Sequence, residues 1–143
     1  MRFSIEADGD GIGVLHFQVM ARGQAFAQEF DRELVDVQTR RNLDALALEG
    51  EGRAQEAVAL YEQNIADGFE GDWPYGRLVA YYERIGELAQ AQRVLERGIE
   101  VLSGSKRRTP RDRKEVIRAF KGRLTMVKKR IRTAGQASAI GTA

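Results

Sequence analysis

The stretch Gly52-Arg53-Ala54-Gln55-Glu56-Ala57-Val58-Ala59-Leu60-Tyr61-Glu62-Gln63-Asn64-Ile65 returns 34 residues later as Gly86-Glu87-Leu88-Ala89-Gln90-Ala91-Gln92-Arg93-Val94-Leu95-Glu96-Arg97-Gly98-Ile99. The register holds without a gap: Gly52 falls on Gly86, Ala57 on Ala91, Tyr61 on Leu95, Glu62 on Glu96 and Ile65 on Ile99, and upstream Leu48 falls on Tyr82 and Glu49 on Glu83. A fixed period of this length marks a repeated supersecondary unit. Each unit reads as an amphipathic helix, a turn carrying the glycine, and a second amphipathic helix. Gly52 and Gly86 stand where one helix stops and the chain reverses, a place that favours positive φ. Ala57 and Ala91 are small enough to let the second helix approach the first. Tyr61 and Leu95, four residues on, share that face and fill the gap beside it.

In the second unit Tyr75, Leu78, Tyr82 and Ile85 recur at spacings of three and four, as a buried helix face requires, and Asp72-Trp73-Pro74 supplies a cap residue and an early proline at its start. On these residues Asn42 to Leu102 resembles two tandem tetratricopeptide repeats. The family's small residue opening the second helix matches Ala57 and Ala91, the large apolar residue after it Tyr61 and Leu95, and the aromatic opening the first helix Tyr75. The chain departs from that pattern at Arg41, which stands where the first unit should open on an aromatic, at Asn64, which occupies a usually small position, and in lacking a proline that closes either unit. The run from Tyr61-Glu62-Gln63-Asn64 through Asp67-Gly68-Phe69-Glu70-Gly71 to Pro74-Tyr75 and Val94-Leu95-Glu96-Arg97 is similar to a variant seen in small bacterial and phage-borne proteins. The resemblance implies an α-solenoid fragment of antiparallel helix hairpins whose first helices line a concave groove. In this chain that groove takes Asn42, Leu46, Glu49, Trp73, Arg77, Ala80, Glu83 and Arg84, and it implies a protein or peptide partner. The Lys/Asn set by which some relatives clamp a peptide carboxylate is not reproduced.

Two repeats leave apolar outer faces that need covers. Ile117, Phe120, Leu124, Val127 and Ile131 recur at 3, 4, 3 and 4, a seam down an otherwise basic segment, and Thr109-Pro110 followed by Asp112 supplies a cap and first turn. The sequence therefore predicts a capping helix over 109–133, stopped by Gly135, with 103–108 as its linker and 134–143 as a flexible tail. Upstream, Phe26, Phe30, Leu34 and Val37 predict a helix over 24–38 packed on the repeats at 39–102. Over 1–22 the alternation of Phe3 and Ile5, then Leu15, Phe17 and Val19, about the turn-forming Asp8-Gly9-Asp10-Gly11, predicts a short β-hairpin. The fold class is thus mostly α, in a single domain of 1–143.

Composition narrows the chemistry. With no cysteine and one histidine in 143 residues, disulfide frameworks, thiolate metal sites and multi-histidine centres are excluded, and only carboxylate or lysine chemistry would remain for an enzyme. Asp8-Gly9-Asp10-Gly11-Ile12-Gly13 lacks the third glycine of a dinucleotide fingerprint, Val14 standing there, and lacks the spacing of a calcium loop. Gly104-Ser105-Lys106 lacks the upstream glycine of a phosphate loop, and His16 has no oriented partner in the sequence. The reading is a non-enzymatic protein with no cofactor and no metal. The apolar run Ile12 to Ala21 is preceded by Arg2 against Glu6, Asp8 and Asp10, the wrong charge for an export signal, and no window reaches a membrane span. A cytoplasmic location follows as the expectation.

The net charge of +2 hides a segregation: 103–132 holds 13 basic residues against two acidic, a net +11, while the remainder carries −9. The basic helix either neutralises its charge against the acidic repeats or presents it to a polyanion. A membrane surface suits it least, since only isolated large apolar residues lie outside its seam. The leading expectation is an interaction scaffold that holds a protein in its groove. The alternative is a nucleic-acid-associated accessory protein working through Lys106, Arg107, Arg108, Arg111, Lys114, Lys121, Lys128 and Lys129.

Overall fold

The computed structural model describes residues 12–141, with the side chains of 28, 29 and 31–137. The described residues form five helices and no strand: α1 (Ile12–Gly50), α2 (Ala54–Ala66), α3 (Trp73–Arg84), α4 (Leu88–Ser103) and α5 (Pro110–Gly141). The chain divides into two compact units, Met1–Val37 and Gln38–Ala143.

In the first unit, residues 12–22 are helical and not the second strand of a hairpin. The alternation read there is ambiguous over so short a run, since Ile12, Leu15 and Val19 also fit helical spacing. The hairpin's other half, the acidic glycine turn and the side chains of His16, Phe26 and Phe30 lie outside the described residues. Nor is there a break ahead of residue 39. α1 runs through because no proline interrupts 12–50 and interior glycines such as Gly23 cost only about 1 kcal/mol each.

In the second unit the 34-residue period is written into the backbone. Gly52 and Gly86 both sit at φ +78°. The amide of Arg53 donates to the carbonyl of Leu48 at 2.9 Å and that of Glu87 to Tyr82 at 2.8 Å, while Gly52 donates to Glu49 at 3.1 Å and Gly86 to Glu83 at 3.2 Å. These are two copies of one helix-stop motif, in which the left-handed glycine lets its own amide and the next one recover carbonyls that the helix end leaves unpaired. α2 and α4 then start at Ala54 and Leu88, the same distance apart.

Side chains across the turns show that the helices run back on each other. Between α1 and α2, Glu49 meets Tyr61 while Asn42 and the Gln38 carbonyl meet Asn64. One position falls as the other rises, the mark of an antiparallel pair. α2 packs on α3, α3 on α4, and α4 most extensively on α5. Ala45, Ala57, Tyr61, Ile65, Tyr75, Leu78, Val79, Ala91, Val94, Leu95 and Leu102 make the core, which Phe120 and Val127 of α5 complete. Ile117, Leu124 and Ile131 of the expected seam pack against it, half-buried.

The two departures in the first unit compensate each other. Arg41 donates to Asn64 Oδ1 at 3.2 Å and pairs with Asp67, and the buried Asn64 donates to Asn42 Oδ1 and the Gln38 carbonyl, both at 2.7 Å. At the same two positions 34 residues on stand Tyr75 and Gly98, where the ring lies against the missing side chain. A polar couple in one pair thus replaces an aromatic-on-glycine contact in the other.

α5 begins as expected, with the amide of Asp112 donating to Thr109 Oγ1 at 3.2 Å. Asp72 directly precedes α3 but makes no cap bond; its carboxylate goes to Arg108. Gly135 does not stop α5, which continues through 134–141 in place of the expected tail. A lone glycine among Ala134, Ala137 and Ala139, with no proline following, is too weak a breaker.

Candidate functional site

Two faces of the second unit remain after the core is assigned. The first is shared by α1 and α3. Trp73, Arg77, Ala80 and Arg84 recur at 4, 3 and 4 along α3, and their counterparts 34 residues earlier are Thr39, Leu43, Leu46 and Gly50 on α1. Leu43 is 62% exposed, Leu46 47% and Trp73 45%, among the largest apolar groups left in solvent. Large exposed apolar groups on equivalent faces of two helices call for explanation.

The expected groove residues divide by what they touch. Leu46 and Trp73 are open. Arg77 stands with its guanidinium carbon 5.8 Å from the centre of the Trp73 ring and forks onto the carboxylate of Glu49, joining α3 to α1. Glu49 also accepts from the Tyr61 hydroxyl at 2.7 Å. Burial opposes ionisation of Glu49, but the bonds from Arg77 and Tyr61 outweigh it and hold its pKa below the ordinary value. Asn42 is tied to Asn64, and Glu83 faces away to Arg123 and Arg130 of α5. These three are framework. Arg84 has no carboxylate partner among the described residues; its guanidinium carbon lies 5.5 Å from the Tyr81 ring centre. Leu43 was not singled out from local pattern, although sliding Arg77 back by one period lands on it.

The second face belongs to α5. The basic residues of 103–132 separate into two sets. Arg107 pairs with Glu70, Arg108 with Asp72 and the Glu70 carbonyl, Arg123 and Arg130 with Glu83, and Arg113 with the Ser105 carbonyl. Arg107, Arg108, Arg123 and Arg130 latch the helix and its linker onto α3 and the loop before it, and Arg113 ties the helix to its own linker. Lys114, Arg118, Lys121, Lys128, Lys129 and Arg132 are all exposed and carry no carboxylate partner among the described residues. Arg111 pairs only with Glu115 on its own helix, at 3.4 Å, and Lys106 is an exposed linker residue. The eight expected nucleic-acid contacts therefore differ in their partners, since Arg107 is paired with Glu70 and Arg108 with Asp72.

A depression of about 410 Å³ between α2 and α4 is lined by Glu62, Ile65, Arg93, Arg97 and Glu100. Its cations are already committed, Arg93 to Glu62 and Arg97 to Glu100 and the carbonyls of Ile65 and Ala66. Among the described residues no His, Cys, Asp or Glu cluster is arranged to hold a metal ion, and no helix is long and apolar enough to cross a membrane. No known family model, curated protein or solved structure matches the chain.

Proposed function

We propose that the protein is an interaction scaffold of tetratricopeptide type, with two helix hairpins, α1/α2 and α3/α4, closed by α5, and that it works without catalysis. The observation that carries this reading is the exposed band Leu43, Leu46 and Trp73 on equivalent faces of α1 and α3, beside Arg77 and Arg84. Apolar anchors beside cations suit an amphipathic peptide or helix bearing an acidic residue, with the tryptophan as the main anchor. Glu49, Tyr61 and Arg77 hold the band in place, so little ordering is left to oppose binding.

Affinity capture with the wild type and with Leu43→Ser/Trp73→Ala tests it. Leu43 is 62% exposed and Trp73 45%, so the variant stays folded, as circular dichroism checks. A partner recovered by the wild type and reduced at least tenfold by the variant is the expected result. Equal recovery contradicts the assignment of this face.

A further inference from the structure

We infer that the outer face of α5 is a second binding surface, one that takes the phosphate backbone of double-stranded nucleic acid without reading its sequence. Lys114, Arg118, Lys121, Lys128, Lys129 and Arg132 follow each other at 4, 3, 7, 1 and 3 residues, which places all six on one side of the helix. The first and last lie 18 positions apart, roughly 27 Å at about 1.5 Å per residue. The stripe borders the apolar seam on the side away from Arg123 and Arg130, which are bound to Glu83. The fold therefore uses one cationic flank of α5 and leaves the other.

Holding α5 in place does not require these six. The seam docks it, and Arg107, Arg108, Arg113, Arg123 and Arg130 latch it. Self-repulsion along the helix would be relieved by carboxylates at i+4, yet only Arg111 has one. A linear row of lysines and arginines of this length complements a linear polyanion, since duplex DNA places about one charge every 1.7 Å of its axis.

The residue types choose among polyanions. Single-strand binding sites stack bases on aromatic side chains, and the only aromatic of α5, Phe120, is buried against Gly98 and Tyr75. A membrane surface would need apolar residues flanking the cations, and among the described residues of α5 Met126 is the one large apolar side chain that is exposed. Four of the six are lysine, point charges suited to phosphate more than to the bidentate reading of a base edge. The surface lies on a different helix from the Leu43–Trp73 band and stands independently of it.

Titrating a labelled 20-base-pair duplex with the full chain by fluorescence anisotropy, from 50 to 200 mM salt, tests the proposal. Binding should weaken steeply, with a slope of log K against log salt of up to about −5, the limit set by six phosphate contacts at about 0.9 each. Lys121→Glu/Lys128→Glu/Lys129→Glu should lose at least tenfold in affinity and flatten the slope by about three while melting as the wild type. Arg53→Glu/Arg93→Glu, off the stripe, should bind within twofold of the wild type. No binding by the wild type at 50 mM salt, equal loss in both variants, tighter binding to a single strand of the same length, or binding to phosphatidylserine vesicles in place of the duplex would each overturn it.

Discussion

At the scale of the residue, the decisive positions are those where a side chain is absent or misplaced by the period. A Cβ built on Gly98 falls 2.6 Å from Phe120 Cε2 and 3.1 Å from Tyr75 Cδ1. Phe120 is 7% exposed and Tyr75 fully buried, so neither ring has room to retreat. Gly98→Val should therefore lower stability by about 2 kcal/mol, by overpacking against α5. Gly122, with nothing within 4 Å of its Cβ position, should gain about 0.5–1 kcal/mol when changed to Ala. Urea midpoints of both variants check the pair; a stabilising Gly98→Val would mean that α5 does not dock there. Arg41 and Asn64 illustrate how a sequence reading stops short. Each departs from the repeat pattern alone, and only contact shows that one answers the other.

Between elements, the joints are made by tyrosine hydroxyls and arginines. Tyr61 of α2 donates to Glu49 of α1, and Tyr82 of α3 to Glu62 of α2 at 2.7 Å. Burial, and then the adjoining carboxylate, push both phenols from 10.0 up to about 12, and burial raises Tyr75 as well. The folded state keeps protons that the unfolded chain releases near pH 10. From neutral pH, stability should then be constant up to about pH 10 and fall between pH 10 and 12. The ion pairs do not titrate in that window, because every one of those described uses arginine. Urea midpoints at pH 9, 10, 11 and 12 should decline for the wild type and less so for Tyr61→Phe/Tyr82→Phe; a flat wild-type profile would contradict the assignment. Helix ends marked by Gly52, Gly86 and Thr109 were legible because their chemistry is local. The continuity of α1 was not, since an alternating run of a few residues suits strand and helix alike, and the extension of α5 past Gly135 was hidden by a residue type that weakens a helix without ending it.

For the whole molecule, the near-balance of charge is a balance between parts. Five arginines between 107 and 130 are committed to the fold of the second unit, and six cations of α5 remain outside it. The segment's summed charge is a matter of composition, but only the positions of Glu70, Asp72 and Glu83 divide it. The same holds for the open band. Periodicity marks α1 and α3 as equivalent, whereas the exposure of Leu43 and the use of Glu49, Asn42 and Glu83 as framework depend on packing.

Both proposed surfaces rest on the 34-residue period building equivalent helix pairs around one core. Ala57 and Ala91 hold equivalent core positions in the two units, each with no exposed surface. Thermal unfolding of Ala91→Arg, followed by circular dichroism, tests the period most directly. A buried, unpartnered guanidinium should remove about 3 kcal/mol or more, a large part of the stability of a domain this size, and abolish the cooperative transition. Ala89→Arg, on the exposed side of the same helix, should melt as the wild type does. An Ala91→Arg protein that melts like the wild type would contradict the account.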